Sequence, residues 1–195
     1  MLYDPLYDIQ GNRKYLSSGE RRAFMRAAAN ADPSVETFCL TLAYTGARIS
    51  EVLALTPRRF DYSVRGITIE SLKKRRRGVF RTVPVPESLL ERLDEVHGMK
   101  GAETDNARCD ARIWCWCRTT AWTRVKEVMS EAGVSGAWGV PKGLRHGLCV
   151  ECTTEAKIPL NIVQRWLGHS RIETTAIYAN AVGKEERALA ERMWA

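Results

Sequence analysis

The chain has 195 residues, of which 45% are hydrophobic, and this composition excludes global disorder and allows one large domain or two small ones. Its 30 Lys and Arg outnumber its 23 Asp and Glu. A basic balance favours a polyanionic partner, with nucleic acid first and an anionic membrane second. The alternative is a basic protein that has no polyanionic partner. No apolar run approaches the roughly 20 residues of a membrane span, and the N-terminus lacks a signal-peptide pattern, so we expect a cytoplasmic protein.

Helices dominate the predicted elements before Pro57. Ser17 and Glu20 have the spacing of a capping box and open the first helix, which the apolar residues after them continue. The second helix, "SVETFCLTLAYTGA", is apolar on most sides and is stopped by Gly46, which indicates a central position. The third, "ISEVLALT", ends before Pro57.

The hydrophobic period then changes from helical to alternating. The segments "GITIESL" and "GVFRTVPV" are typical of strands, with the basic tip "KKRRRG" between them. Helical patterns return from Pro86 to His97 and, after a polar loop around 98–110, from about Arg118 to Ala132; four short helical segments follow from Pro141, the last being "KEERALAERMW". The sequence therefore predicts a mainly α-helical, α+β fold with one small antiparallel β-sheet near residues 66–85.

The segment "LNIVQRWLGHSRIETTAIYAN" is predicted to contain a corner. Gly168 ends one helix, and Ser170 with Glu173 has the spacing of a capping box for the next. In one continuous helix, His169 and Tyr178 would lie on opposite faces. On a corner and a separate short helix, both side chains can point into one pocket.

The cysteines give little sign of a disulfide framework or of a metal site. Disulfides are rare in cytosolic proteins, and the C-x-C spacing is poor for zinc. We therefore expect no structural metal and interpret all six as small core residues, at positions Cys39, Cys109, Cys115, Cys117, Cys149 and Cys152.

Charged side chains coincide with structural breaks at several places. Each place alone has a structural explanation: an arginine in a turn, a solvated loop tip, a solvated helix N-terminus, or a core or surface aromatic. Together they have the residue types for metal-free attack on a phosphodiester. They are Arg48 with Glu51, the basic tip from Lys73 to Arg77, the group Lys142, Arg145 and His146, and the pair His169 and Tyr178.

The chemistry explains why these residue types belong together. A tyrosine hydroxyl becomes a good nucleophile where nearby positive charge favours its phenolate. Guanidinium groups bind the charge that develops on the non-bridging phosphate oxygens. A lysine on the hairpin can supply the proton that the leaving 5′ oxygen needs. No cluster of carboxylates suited to two-metal catalysis is apparent in the sequence.

The sequence resembles the tyrosine recombinase (phage integrase) family over about residues 16–194. "TGARISEVLAL" is similar to the first arginine box, which makes Arg48 a catalytic arginine and Glu51 its acidic support. "GLRHGL" is similar to the second box, with Arg145 as the other catalytic arginine. "WLGHSRIETTAIYA" resembles the closing motif, with His169 and the nucleophile Tyr178. The resemblance implies a DNA breaking-rejoining fold, a 3′-phosphotyrosine intermediate, and no metal or ATP.

The chain departs from the family pattern in the remaining basic residues. Lys142 stands where the family usually has His, and related type IB topoisomerases often use Lys there. The family also carries a hairpin lysine, which corresponds to Lys73 or Lys74, and we favour Lys73. The other hairpin cations, Lys74, Arg75, Arg76 and Arg77, are expected to contact DNA phosphates with little base specificity.

The resemblance also implies a domain division and partners. Residues 1–15 are expected to form a tail and 16–195 the catalytic domain, without the separate N-terminal core-binding domain of most members. The expected partners are double-stranded DNA and further copies in a synaptic tetramer, with helix 183–195 packing on a neighbour or folding back in cis. Two alternatives remain: relaxation of supercoils by a monomer, as in type IB topoisomerases, and a non-catalytic DNA-binding protein that kept the fold.

Overall fold

The computed structural model describes residues 6–72, 78–102, 105–179, 191, 193 and 194 of the chain. In this part the helices are α1 (Ser18–Ala28), α2 (Pro33–Thr45), α3 (Ile49–Leu53), α4 (Glu87–His97), α5 (Asn106–Asp110), α6 (Arg118–Glu131), α7 (Pro141–Thr154), α8 (Leu160–Leu167) and α9 (Glu173–Ala179). The strands are β1 (Phe60–Asp61), β2 (Gly66–Glu70) and β3 (Phe80–Pro84), and short 3-10 turns lie at Pro57–Arg59 and Lys100–Ala102.

The first helix begins, and the second ends, at the residues that the sequence predicts. The hydroxyl of Ser17 accepts a hydrogen bond from the backbone N of Glu20 at 3.3 Å, and the Glu20 carboxylate accepts one from the backbone N of Ser17 at 2.8 Å. This reciprocal pair is the capping box of α1. Gly46 ends α2 in the left-handed conformation, with φ of 58°. The chain therefore turns sharply just before Arg48.

The sheet has the order β1-β2-β3 and is antiparallel throughout. Ile67 lies opposite Val83, and Ile69 lies opposite Arg81. The predicted strands β2 and β3 are confirmed. The sequence did not predict β1, because two residues are too short for an alternating pattern to be recognised.

The predicted polar loop around 98–110 is partly wrong, because it contains α5. Asp105 caps this helix by accepting a hydrogen bond from the backbone N of Ala107 at 2.9 Å. Cys109 is the buried residue of the helix. A short helix with a single core-facing residue has too weak a period to be seen in the sequence.

The buried apolar residues form two clusters. The central cluster lies mainly among α1–α4, α6 and the sheet and includes Phe24, Phe38, Leu42, Ile67, Leu90 and Trp114. The terminal cluster joins α7–α9 to the first described residues and consists of Leu6, Tyr15, Cys149, Val150, Cys152, Val163, Leu167 and Tyr178. Within the described ranges, no helix has both the length and the apolar character needed to cross a membrane.

The prediction that every cysteine is a core residue is wrong for two of them. Cys39, Cys109, Cys149 and Cys152 are buried, whereas Cys115 and Cys117 are exposed. The reason is the alternation of side chains in the segment that leads into α6. Trp114 and Trp116 pack edge-on against Phe38, with ring centroids 5.3 and 5.4 Å away, so the two cysteines point outward.

Candidate active site

Arg48 and Glu51 form an ion pair at the start of α3. Arg48 is the N-cap residue, and its Nη1 donates to Oε1 of Glu51 at 2.6 Å while its backbone N donates to Oε2 at 3.0 Å. The Glu51 side chain is fully buried, whereas about a third of the Arg48 side chain is exposed (0% against 32%). The carboxylate therefore fixes an arginine that can still reach a ligand.

Arg81 is a buried member of this network that sequence analysis missed. From β3, its Nη2 donates to Oε2 of Glu51 at 2.6 Å and its Nε donates to the backbone O of Trp166, at the end of α8, at 2.7 Å. Only 5% of its side chain is exposed, and its Nη1 has no hydrogen-bond partner among the residues that the structure describes. The sequence feature that could have indicated it is the alternation of β3, which places Arg81 on the same buried face as Val83.

The electrostatics of Glu51 follow from these contacts. Burial alone raises the pKa of its carboxyl group. The charge of Arg81, the hydrogen bonds and the charge of Arg48 act in the opposite direction and together bring the pKa below its usual value. Glu51 is therefore ionised and binds two arginines at once.

Arg145 joins the segments that carry the predicted site residues. From α7, its Nη1 donates to the backbone O of Gly46 at 2.6 Å and its Nη2 donates to the backbone O of Leu167 at 2.5 Å. These carbonyls lie at the C-terminal ends of α2 and α8, where the helix dipole is negative. Burial, followed by the charge of Arg48, lowers the pKa of Arg145 to about 10, so the group remains charged at neutral pH.

A cleft of about 420 Å³ lies beside these arginines. Arg48, Lys142 and Arg145 all line it, so the structure brings together the predicted residues of the first two motifs. Arg118 and Trp122 of α6 line it as well, and sequence analysis had not assigned them. The sequence gives little indication of their role, because the 43% exposure of Trp122 is evident only in the folded chain.

The corner between α8 and α9 has the predicted geometry, with one correction. Gly168 ends α8 with φ of 65°, and the backbone N of His169 donates to the backbone O of Gln164 at 3.1 Å. The helix α9 begins at Glu173, so Glu173 opens the helix instead of occupying its third position. The capping box expected from Ser170 is therefore wrong, because residues 170–172 form a bend and a turn before the helix begins.

His169 and Tyr178 meet, as the corner predicts. Their rings are stacked, with centroids 6.4 Å apart and an interplanar angle of 25°. The Nδ1 atom of His169 lies 2.9 Å from the hydroxyl oxygen of Thr175, another residue that sequence analysis did not assign. Burial, then the charges of Arg145 and Arg48, lower the pKa of His169 to about 3, so its ring is neutral at pH 7.

Tyr178 is buried and protonated in this structure. It is 7% exposed within the terminal cluster, and burial raises the pKa of its hydroxyl to about 12, with Cys149 adding to the effect and Arg145 opposing it. The sequence led us to expect activation by nearby positive charge. Arg145 does act in that direction, but burial outweighs it because the ring lies among apolar side chains.

A second histidine, His146, lies against Tyr178. The ring of His146 is tilted by 49° to that of Tyr178, with centroids 4.9 Å apart. Burial, then the charges of Lys142 and Arg145, lower the pKa of His146 to about 4. Its Nδ1 is buried without a hydrogen-bond partner in the described part of the chain. The sequence placed His146 beside Arg145 but assigned it no role.

Some predicted residues lie outside the part of the chain that the structure describes. They are the hairpin residues Lys73, Lys74, Arg75, Arg76 and Arg77 and most of the predicted helix 183–195. In the ranges that it does describe, no group of three or more His, Cys, Asp or Glu is arranged to hold a metal ion.

The chain is similar to known recombinases. The model of the phage integrase family matches residues 14–185. Tyrosine recombinase XerA of Pyrococcus furiosus is 27% identical over 156 residues, which cover 78% of this chain and 52% of that protein. Tyrosine recombinase XerD of Yersinia pestis is 30% identical over 151 residues, which cover 74% of this chain and 49% of that protein. The chain thus spans about half the length of these relatives.

A solved structure has the same fold. The crystal structure of XerH site-specific recombinase bound to a palindromic difH substrate, a post-cleavage complex, superposes with a TM-score of 0.75. The two chains are 20% identical, and the match covers 93% of this chain and 53% of that one. The fold class predicted from the sequence is confirmed.

Proposed function

Because the chain belongs to the phage integrase family, we propose that it cuts and rejoins DNA as a site-specific recombinase. The observation that supports this most is the position of Arg145. Its guanidinium binds the turn before Arg48 and the end of α8 next to His169, so the three sequence motifs converge on one point. Double-stranded DNA is the substrate that suits a cleft lined by cationic side chains in a basic protein.

The proposed reaction is a pair of transesterifications. The Tyr178 oxygen attacks the scissile phosphorus, a new bond forms between them, and the bond to the 5′ oxygen breaks. The products are a 3′-phosphotyrosine and a free 5′ hydroxyl, and the 5′ hydroxyl of a partner strand then reverses the step. Each step exchanges one phosphodiester bond for another, so the reaction requires no ATP, and in this proposal arginine side chains bind the phosphate charge in place of a metal ion.

Each residue of the site has a separate role in binding the phosphate. Arg48 and Arg145 bind the non-bridging oxygens, on which negative charge increases in the transition state. Glu51 holds Arg48 in place by their ion pair. His169 is neutral at pH 7 and offers a ring nitrogen to the same phosphate.

The first step also requires two proton transfers, one from the Tyr178 hydroxyl and one to the leaving 5′ oxygen. Tyr178 is protonated at neutral pH, so its proton must pass to solvent water as the oxygen attacks, and DNA must first bring the phosphate to the buried ring. We assign protonation of the leaving 5′ oxygen to Lys73. Lys142 lines the cleft beside Arg145 and supports the charge on the phosphate. Lys74, Arg75, Arg76 and Arg77 are proposed to contact the DNA backbone.

The larger assembly is part of the proposal. Residues 16–195 would act as the catalytic domain, and recombination between two sites would require a synaptic tetramer in which helix 183–195 can pack on a neighbour. A second candidate is supercoil relaxation by a monomer with the same chemistry. The presence of Lys142 in the cleft favours it, since a lysine at this position is typical of type IB topoisomerases.

Covalent trapping tests the chemistry. Duplexes nicked just beyond a candidate cleavage site, drawn from a pool of sequences that flank the coding region, release a short fragment when cut, and the enzyme then stays attached on a denaturing gel. We expect a covalent band for the parent and for Tyr44→Phe, a matched control on α2, and no band for Tyr178→Phe, which still binds DNA. A band that persists in Tyr178→Phe contradicts the nucleophile assignment.

Further outcomes separate the alternatives. Strand exchange between two sites supports the recombinase, and relaxation of supercoiled plasmid without exchange supports the topoisomerase-like enzyme. If DNA binding is salt-sensitive and no sequence in the pool gives a covalent band, the cleavage proposal is contradicted and a DNA-binding role is favoured.

A further inference from the structure

Thr175 has a buried hydroxyl whose contact is with His169. The residue is 0% exposed, and its Oγ1 lies 2.9 Å from Nδ1 of the imidazole. It lies on α9, three residues before Tyr178 and therefore on the same face of that helix. The neighbouring Thr174, by contrast, is exposed.

The direction of this hydrogen bond follows from the acceptors at hand. A threonine hydroxyl is both donor and acceptor, and a buried one is costly when its hydrogen has no partner. Among the described residues, Nδ1 of His169 is the one group within hydrogen-bonding distance of this hydroxyl. The hydroxyl therefore donates to Nδ1, and Nδ1 is the unprotonated nitrogen of the ring.

The proton of a neutral ring must then be on Nε2. Burial and the nearby arginines keep the ring of His169 neutral at pH 7, so one nitrogen carries a proton and the other does not. His169 lines a cleft of about 260 Å³ together with Arg81 and Gly168. A ring with the proton on Nε2 can donate a hydrogen bond to a phosphate oxygen, whereas the opposite tautomer cannot donate from that nitrogen.

We propose that Thr175 is a positioning residue that fixes the Nε2–H tautomer of His169 and links that ring to the helix of the nucleophile. The consequence for catalysis rests on the proposed function, since it requires that a phosphate bind next to Tyr178. Thr175 and Tyr178 move together because both belong to α9. A displacement of α9 therefore changes the nucleophile and the hydrogen-bond donor in one step.

The tautomer can be read directly by nuclear magnetic resonance. In long-range ¹H–¹⁵N spectra of the full ¹⁵N-labelled chain, a protonated and an unprotonated ring nitrogen have well separated shifts. The chain has three histidines, so a His169→Gln variant identifies the signals of His169 by their loss. We expect a protonated Nε2 in the parent and shifts averaged between the two tautomers in Thr175→Val.

Cleavage of nicked duplexes under single-turnover conditions tests the consequence. Loss of the partner that orients a metal-ligating histidine costs about 10–100-fold. By analogy, Thr175→Val should slow cleavage by about 10-fold while DNA affinity stays the same. Thr175→Ser restores the hydroxyl and should restore most of the rate. Thr174→Val removes an exposed hydroxyl one position away and should have no effect.

The outcomes are distinct from a failure of the proposed function. A protonated Nδ1 in the parent, or a Thr175→Val spectrum identical to the parent's, overturns the tautomer assignment whether or not the protein cleaves DNA. Cleavage by Thr175→Val at the parent rate, or cleavage by Thr175→Ser as slow as that of Thr175→Val, overturns the positioning role. If the parent forms no covalent complex, the proposed function fails, and the spectra still test the tautomer.

Discussion

The two sides of the candidate active site are held together by different forces. The arginine side consists of Arg48, Glu51, Arg81 and Arg145, and ion pairs and hydrogen bonds to backbone carbonyls fix it. The tyrosine side consists of His146, His169, Thr175 and Tyr178, and ring contacts, one hydroxyl and the terminal cluster fix it.

The net pKa shifts of the buried acidic groups are opposite on the two sides. On the arginine side, the pKa of Glu51 falls because two arginines more than offset the effect of burial. On the tyrosine side, burial is the largest effect: it raises the pKa of Tyr178 and lowers that of His169, and both groups are neutral at pH 7. The comparison teaches that the arginine side is already charged, whereas Tyr178 would still have to lose its proton to act as the proposed nucleophile.

The largest expected effect is on stability, from Glu51→Ala on the arginine side. This change leaves the buried guanidinium of Arg81 without its carboxylate, and removal of one partner of a buried ion pair costs about 3–5 kcal/mol. Urea denaturation should show that loss in the free energy of unfolding. Glu95→Ala is the control, since its pair with Arg92 is exposed and should contribute less than about 1 kcal/mol. Equal losses in the two variants would mean that the arginine side is not held by its ion pairs.

The next effect is on cleavage, from Arg145→Ala at the junction of the two sides. Loss of one donor that stabilises transition-state charge costs about 2.7–4 kcal/mol, a decrease in rate on the order of 10²–10³-fold. Single-turnover trapping on nicked duplexes measures it, with thermal unfolding as a check that the variant folds. Arg145→Lys keeps the charge but lacks the fork that binds two carbonyls, so it should recover little of the rate. A folded Arg145→Ala variant within a few-fold of the parent would rule out the assigned role.

Gly168→Ala tests the contact that joins the two sides, and its expected effect is smaller. Gly168 has φ of 65°, and a Cβ there would lie 3.1 Å from Cδ of Arg81. A non-glycine residue in this conformation costs about 1–3 kcal/mol, and the contact adds to that cost. Gly133→Ala is the matched control, because φ is 71° and a Cβ would meet nothing within 4 Å. Chemical denaturation should show a larger loss of unfolding free energy for Gly168→Ala than for Gly133→Ala. Equal losses would show that the Arg81 side chain moves away from the new methyl group at no cost.

The sequence predicted the parts of the site that depend on local signals. The breaks at Gly46 and Gly168 and the capping box of Ser17 are encoded within a few residues, and the structure has all of them. The motifs likewise predict roles for Arg48 and Tyr178, since their spacing along the chain resembles that of the family, and these roles stay predictions.

The missed residues depend on contacts between distant segments. Arg81 is an arginine in a strand until the fold brings it to Glu51, 30 residues away in sequence, and to α8, 85 residues away. Thr175 is one of two adjacent threonines, and only the folded corner shows which one lies against His169. Local patterns cannot predict such contacts, nor the burial that raises the pKa of Tyr178.

The smallest expected effect is the response of the tyrosine side to acid. Burial and the charges of Lys142 and Arg145 lower the pKa of His146 from its ordinary 6.5 to about 4. Between these values the unfolded chain binds more protons than the folded chain, so the stability that His146 contributes is complete above about pH 6.5 and is lost as the pH falls toward 4. For this one group the loss between pH 7 and pH 6 is on the order of 0.5 kcal/mol.

Calorimetry across this range compares the parent with His146→Asn. Replacement of His146 removes one titrating group, so the variant's unfolding temperature should depend less steeply on pH between 7 and 5. The carboxylates titrate mainly below this range and change both proteins alike. A parent whose unfolding temperature rises on acidification, or a variant with the same slope as the parent, would mean that the tyrosine side does not keep His146 neutral by burial.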